Sequence, residues 1–105
     1  HVLPHYGVVG VSKAAIEAIV RYLAAELAPR GITVNAIAPG TVDTHALTHF
    51  PNRERLLEDS IRHTPAGRLC TPEDVANVAA FLCSDAAAMI IGQVIVVDGG
   101  ASLVP

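Results

Sequence analysis

The first strongly patterned stretch of the chain lies between Gly10 and Ala28 and is dense in alanine, leucine and isoleucine. These residue types favour an α-helix. The few charged side chains in the run do not gather on one wide polar face, so we predict a helix that is covered on two sides. One cover should be a sheet and the other a helix, which we expect to come from another subunit. Pro29 and Gly31 should end the helix.

Two short apolar runs have the pattern of buried β-strands, Ile32 to Ala38 directly after this helix and Gln93 to Val97 near the end of the chain. Between them, Thr71 and Pro72 open a predicted helix that continues to about Ser84. A helix followed at once by a buried strand is typical of a parallel sheet with helices on its faces. Two strands cannot bury so apolar a helix, so we expect further strands from upstream sequence.

A connection of about thirty residues separates the first strand from the helix after Thr71, and connections this long are usually functional. Pro51 to Arg62 is predicted to form a short amphipathic helix within it. Ligands of open α/β sheets bind at the carboxyl ends of the strands. We therefore predict that this connection forms a lid over a ligand site.

Composition excludes several classes of function. The 105 residues include 7 Lys and Arg against 10 Asp and Glu, a net charge of −3, which excludes an electrostatic nucleic-acid binder. The chain is 51% hydrophobic and 16% charged, which indicates a packed core. No uninterrupted apolar run is longer than Ala86 to Ile91, which is too short to span a membrane. Cys70 and Cys83 form no metal or redox motif and indicate reduced thiols, so we expect a cytoplasmic protein.

A metal site is the weaker interpretation of the five histidines. His45 and His49 are one helical turn apart and could supply two ligands, but a third ligand with suitable spacing is missing. We therefore predict no metal site.

Tyr6 and Lys13 are the candidate catalytic pair. Seven helical residues turn through about 700°, within about 20° of two full turns, so both side chains share one face if the helix extends back to Tyr6. An ammonium group beside a phenol stabilises the phenolate and makes the hydroxyl a better acid. The alternative is a surface lysine and a half-buried tyrosine at a helix start, and the spacing alone favours that alternative.

The run YGVVGVSKAAIEAIVRYLAAELAPRGITVNAIAPGTVDT, followed by TPEDVANVAAFLCSDAA and GQVIVVDGG, resembles the carboxyl-terminal part of a short-chain dehydrogenase/reductase. The resemblance covers essentially the whole chain. It implies that residues 1–105 are the carboxyl-terminal portion of a single NAD(P)-binding domain, a doubly wound Rossmann-type parallel sheet with helices on both faces. The family's glycine-rich turn and its upstream catalytic serine or tyrosine are not in this chain.

The same resemblance implies roles for individual residues. Lys13 would bind the nicotinamide ribose and promote the acidity of the catalytic tyrosine. Pro39 and Gly40 would lie under the nicotinamide ring, with the Val42 backbone on the carboxamide and Thr44 near the carboxamide or diphosphate. Glycine at position 40 would permit a close approach of backbone and ligand.

One departure from the family's commonest pattern is informative. That pattern places tyrosine four residues before lysine, where this chain has Val9. Tyrosine seven residues before lysine, as in Tyr6 and Lys13, is the pattern of the enoyl-acyl-carrier-protein reductases within the family. The segment ALTHFPNRERLLEDSIRHTPAGR further resembles the third, NADPH-dependent type of these enzymes.

The leading hypothesis is therefore the carboxyl-terminal part of an enoyl-thioester reductase of fatty-acid synthesis that uses NADPH, with NADH not excluded. Its substrate would be an acyl thioester on acyl carrier protein or coenzyme A, with Ala46, Leu47 and Phe50 lining the acyl pocket, and the enzyme would be a homo-oligomer. One alternative is a reductase of 3-oxoacyl thioesters or other carbonyl compounds, which Val9 disfavours. Another is a fragment without catalytic activity that acts only in assembly.

Overall fold

The computed structural model describes residues 6–43 and 51–104. The helices and strands, in chain order, are α1 (Gly7–Leu27), β1 (Ala36–Pro39), α2 (Arg53–Arg62), α3 (Pro72–Leu82) and β2 (Val94–Val97). Short 3-10 turns cover Ala28–Arg30, Asp85–Ala87 and Ala101–Leu103. The predicted order of helix, strand, helix, helix and strand is confirmed.

Helix α1 begins three residues earlier than predicted. The Gly10 amide donates to the Tyr6 carbonyl at 2.7 Å and so closes a first turn ahead of the alanine-rich run. At the other end a 3-10 turn follows Leu27, and Gly31 then adopts a left-handed conformation with φ 75°. Glycine takes this conformation without steric cost, so the helix ends where the sequence predicts.

Helix α1 is packed on one face within the described part of the chain. Val20 and Ala24 are its buried residues, and Gly92 approaches Ala24 closely. On the opposite face Val8, Val11 and Tyr22 are 89%, 71% and 80% exposed. The second cover that the sequence predicts for α1 stays a prediction.

Strand β1 is shorter than the predicted Ile32 to Ala38, and the side chain of Asn35 explains the difference. Its Nδ2 donates to the Ile90 carbonyl at 2.8 Å, and its Oδ1 accepts from the Gln93 amide at 2.9 Å. A side-chain amide thus takes the place of the regular ladder just before β1. Because the Gln93 amide is used in this way, β2 begins at Val94.

The two strands are neighbours in a two-stranded sheet. The Ala36 amide donates to the Gln93 carbonyl at 2.8 Å, and the Gly40 amide donates to the Val97 carbonyl at 2.9 Å. Both partners advance along the chain by the same step, so the strands run parallel. The predicted parallel α/β arrangement is confirmed.

The chain divides into two compact units. The first comprises His1–Ala36 and Ser84–Ile95 and contains α1, with Val20, Ala24 and Ala87 buried. The second comprises Ile37–Cys83 and Val96–Pro105 and contains α2 and α3, with Thr64 buried. The expectation that residues 1–105 belong to a single domain stays a prediction.

Helices α2 and α3 begin in different ways. Thr71 caps α3: its hydroxyl accepts from the Asp74 amide at 3.2 Å, and its own amide donates to the Asp74 carboxylate at 2.9 Å. This reciprocal pair is a capping box and confirms the predicted start of α3, which ends at Leu82 rather than at Ser84. Helix α2 follows Asn52, whose φ of 70° is left-handed, and starts at Arg53 rather than at Pro51.

No helix within residues 6–43 and 51–104 is long and apolar enough to cross a membrane. Both cysteines are free thiols, as predicted.

Candidate active site

Tyr6 stands at the start of α1, in the N-cap position, with φ −104° and ψ 8°. Its carbonyl accepts the first helical hydrogen bond, from Gly10. Lys13 follows on the unbroken helix, almost two turns later and about 10.5 Å further along the axis. The two side chains can share a face only if the helix reaches back to Tyr6, and the structure meets this condition. Helical side chains lean toward the amino terminus, so Lys13 leans toward Tyr6.

The face that carries Tyr6 and Lys13 continues along α1 to the buried Val20 and Ala24, which stand at the same helical angle to within about 40°. The candidate pair is thus on the packed side of α1, beyond the part that is buried in this unit. Tyr6 is 44% exposed and Lys13 is exposed, so within the described residues both side chains are accessible.

Ser12 is next to Lys13 in sequence but does not join the pair. Its hydroxyl donates to the Val9 carbonyl at 2.8 Å, a hydrogen bond within the helix. Neighbouring helical positions differ by about 100°, so Ser12 also stands on another side of α1. Tyr6 is therefore the better placed proton donor near Lys13.

The segment after β1 carries the residues that the resemblance assigns to the nicotinamide. Pro39 ends β1 and is exposed, at the carboxyl edge where ligands of parallel sheets bind. Gly40 follows, and a Cβ on Gly40 would lie only 2.9 Å from the Asp98 Cα. Within this unit the contact with Asp98 by itself requires glycine at position 40. The close approach of a ligand that is expected from the sequence stays a prediction.

Two further contacts hold this segment. Val42 forms a parallel β-bridge with Cys70. Asp43 forms an ion pair with Arg53, whose Nη2 lies 2.5 Å and 2.6 Å from the two carboxylate oxygens. Asp43 and Arg53 are not among the site residues expected from the sequence, because nothing in their spacing marks them as partners.

Four expected site residues lie outside the described residues: Thr44, Ala46, Leu47 and Phe50. Their roles stay predictions. His45 and His49 also lie outside them. Among the residues that are described, no group of three or more His, Cys, Asp or Glu side chains could hold a metal ion.

Asp98 is held as a carboxylate by its own turn. The hydrogen bond from the Ser102 side chain, followed by those from the Gly100 and Ser102 amides, lowers the pKa of Asp98 from its usual value. Both amide contacts measure 2.8 Å. An ionised group that accepts these bonds supports the turn after β2 and is not a proton donor.

A cavity of about 270 Å³ lies within the second unit, and Arg68, Cys70, Asp74 and Asn77 provide its polar lining. Arg68 and Asp74 form a bidentate ion pair, with Nη to Oδ distances of 2.6 Å and 3.0 Å. The Arg68 side chain lowers the pKa of Asp74, with further hydrogen bonds from Thr71. In this cavity Arg68 and Asp74 are paired with each other, and Asp74 also takes part in the cap of α3. The face of α1 that carries Tyr6 and Lys13 is therefore the better candidate site.

The chain matches a known protein family along almost its whole length. A family model described as enoyl-(acyl carrier protein) reductase matches residues 1–102. The chain belongs to this family. The resemblance to short-chain reductases is confirmed.

Individual members of the enoyl-(acyl carrier protein) reductase family are similar along nearly the whole chain. The enoyl-[acyl-carrier-protein] reductase [NADH] FabI of Escherichia coli K12 is 46% identical over 101 residues, which cover 96% of this chain and 38% of that protein. The 1-cyclohexenylcarbonyl-CoA reductase of Streptomyces collinus is 45% identical over 103 residues, with 96% and 37% covered. This chain therefore spans well under half the length of these relatives.

A crystal structure of the enoyl-[acyl-carrier-protein] reductase (NADH) from Aquifex aeolicus VF5 superimposes with a TM-score of 0.86 at 44% identity. The match covers 98% of this chain and 40% of that one. The Rossmann-type α/β fold expected from the sequence is thereby confirmed. The Escherichia coli and Aquifex aeolicus enzymes are named for NADH, so the expected third, NADPH-dependent type is not confirmed.

Proposed function

We propose that the protein carrying this chain reduces the carbon–carbon double bond of a trans-2-enoyl thioester, attached to acyl carrier protein or coenzyme A, in fatty-acid biosynthesis. One observation carries the proposal: Tyr6 stands at the N-cap position of an unbroken α1, and Lys13 follows seven residues later on the same face. The names of the similar reductases support the same class of substrate.

Each residue of the pair has a chemical task in this proposal. The bound nicotinamide would supply hydride to the β-carbon of the enoyl group. Negative charge then develops on the thioester oxygen, and the Tyr6 hydroxyl donates a hydrogen bond or a proton to that oxygen. The Lys13 ammonium holds the ribose and stabilises negative charge on the phenol oxygen.

The spacing of the pair supports reduction of a double bond rather than of a ketone. In a ketone the oxygen is bonded to the carbon that receives hydride, so the acid must stand close to the nicotinamide. In an enoyl thioester hydride enters two carbons from the carbonyl carbon, and the oxygen lies farther out. Moving tyrosine from four to seven residues before Lys13 shifts it by about 4.5 Å along the helix, in the required direction.

The cofactor is proposed to be NADPH or NADH, held by Lys13 together with Pro39, Gly40, Val42 and Thr44. The resemblance of the segment after β1 to the third type of enoyl reductase favours NADPH. The names of the similar Escherichia coli and Aquifex aeolicus enzymes favour NADH. The residue that selects between NADH and NADPH is expected in the half of the domain that holds the glycine-rich turn. Residues 1–105 would be the other, carboxyl-terminal portion of that domain.

Ala46, Leu47 and Phe50 would line the acyl pocket. The protein would be a cytoplasmic homo-oligomer that uses the exposed apolar face of α1, where Val11 and Tyr22 are 71% and 80% exposed.

The decisive experiment gives the purified protein a trans-2-enoyl thioester and, separately, a 3-oxoacyl thioester of equal chain length, each with NADH and with NADPH. We expect faster turnover of the enoyl substrate. Faster turnover of the 3-oxo substrate would show a ketoreductase. If neither cofactor binds, a role in assembly without catalysis is the remaining alternative.

A further inference from the structure

The backbone segment from Pro39 to Asp43 is held at three positions within the second unit. The Gly40 amide donates to the Val97 carbonyl at 2.9 Å, next to the close contact of Gly40 with Asp98. Val42 is bridged to Cys70. The third contact is the ion pair of Asp43 with Arg53 at the start of α2.

The hydrogen bond of Gly40 and the bridge of Val42 are formed by main-chain groups and need no particular side chain. The third is formed by two side chains and therefore depends on the residue types at positions 43 and 53. Its two members are 38% and 45% exposed, whereas Arg62 and Asp59 in α2 are 72% and 50% exposed and 3.9 Å apart. The Asp43–Arg53 pair is thus the better formed and the less solvated of these two.

The position of Arg53 is not explained by the stability of α2. It is the first residue of the helix, where the helix dipole favours acidic side chains and disfavours basic ones. A basic residue at this position is locally unfavourable, and the Asp43 carboxylate compensates its charge. The link between α2 and the segment after β1 is therefore the feature that accounts for an arginine here.

We propose that Asp43 and Arg53 are positioning residues that fix residues 39–43 against α2 and so preform the backbone surface on which the nicotinamide binds. This inference rests on the proposed function, which assigns that surface to residues 39–42. Neither side chain is proposed to touch the substrate or to take part in proton transfer.

The test compares Asp43→Asn, Arg53→Gln and the exchanged pair Asp43→Arg/Arg53→Asp in the purified protein. Binding is measured by fluorescence titration with whichever of NADH and NADPH the unchanged protein binds. We expect each single substitution to raise the Kd by about fivefold, the upper range for a half-exposed ion pair, and the exchanged pair to recover most of the affinity. The thermal midpoint of each variant shows whether it is folded.

A second measurement does not depend on the cofactor. Amide hydrogen exchange of the peptide covering Gly40 to Asp43 should become about fivefold faster in both single variants and return toward the original rate in the exchanged pair. Arg62→Gln is the control, since it removes one positive charge from the same helix and should change neither the Kd nor the exchange.

The results separate this inference from its alternatives. If the pair acted only through local charge on an anionic cofactor, Arg53→Gln would weaken binding while Asp43→Asn would strengthen it, and opposite effects of this kind overturn the inference. Unchanged exchange at residues 40–43 in both single variants also overturns it. If the unchanged protein binds neither NADH nor NADPH, the proposed function is refuted. Amide hydrogen exchange would still decide whether the ion pair holds the backbone of residues 40–43.

Discussion

Gly40 and Asp98 are in such close contact that no side chain fits between them: a Cβ at position 40 would lie 2.9 Å from the Asp98 Cα and 3.0 Å from its Cβ. Both residues follow the carboxyl ends of neighbouring parallel strands, where Gly40 also donates to the Val97 carbonyl. The turn after β2 thus packs directly on the backbone proposed to bind nicotinamide.

This contact predicts that Gly40→Ala destabilises the protein. The added methyl group must displace main-chain atoms of Asp98, and such overpacking costs about 1–3 kcal/mol. Urea denaturation followed by circular dichroism measures the change. Gly10→Ala is the control, because among the described residues no atom beyond the adjoining helix backbone lies within 4 Å of its added Cβ. Alanine also stabilises a helix interior by about 0.5–1 kcal/mol over glycine. Equal stability of Gly40→Ala and the unchanged protein would contradict the close contact.

Tyr6→Phe is expected to lower turnover by roughly a hundredfold or more and to leave the affinity for the nicotinamide cofactor nearly unchanged, because it removes only a positioned proton donor. Lys13→Ala should impair both turnover and cofactor binding. Steady-state kinetics and fluorescence titration measure the two effects.

Tyr22→Phe serves as the matched control for Tyr6→Phe, since Tyr22 is 80% exposed on the other face of α1. Normal turnover in Tyr6→Phe would show that Tyr6 is not the acid. Ser12, whose hydroxyl donates to the Val9 carbonyl, and His5, which lies outside the described residues, would then be the candidates to test.

The cap of α3 predicts a pH dependence of stability. The hydrogen bond from Arg68, followed by those from Thr71, holds the pKa of Asp74 well below its usual range. A carboxyl whose pKa is lowered by folding stabilises the folded state fully above its unfolded pKa of about 3.9, and this contribution is lost as the pH falls toward the folded pKa. Asp74→Asn should therefore lower the thermal midpoint at pH 7, and the difference from the unchanged protein should shrink below about pH 4.

Glu73→Gln is the control for Asp74→Asn because Glu73 is an exposed acidic residue in the same turn of α3. It should change the thermal midpoint far less than Asp74→Asn at pH 7. A midpoint difference for Asp74→Asn that is the same at pH 7 and pH 3 would show that the capping carboxylate is not the cause.

The apolar face of α1 predicts that Tyr22→Glu weakens self-association. A carboxylate in the centre of an apolar interface loses hydration without gaining a partner, which disfavours the assembled state. Multi-angle light scattering at micromolar concentration should show a smaller species than the unchanged protein. Leu103→Glu is the matched control, since Leu103 is likewise exposed, at 85%. Dissociation by Leu103→Glu but not by Tyr22→Glu would place the interface elsewhere, and an unchanged protein that is already a monomer would exclude assembly through α1.

The sequence by itself determined the features that depend on neighbouring residues. The cap formed by Thr71 and Asp74 joins residues three apart, so the start of α3 could be predicted within a residue. The shared face of Tyr6 and Lys13 follows from helical periodicity once the helix reaches Tyr6. The order of the helices and strands follows from runs of apolar residues that are continuous in the chain.

Only the tertiary structure decided where β1 begins, why position 40 is glycine and what Arg53 binds. Asn35 replaces part of the ladder through partners 55 and 58 residues away, Gly40 meets the turn that follows β2, and Arg53 reaches back across ten residues to Asp43. Such contacts depend on which backbone segments the fold brings together. No periodicity or local propensity encodes them, because the interacting groups become neighbours only when the chain folds.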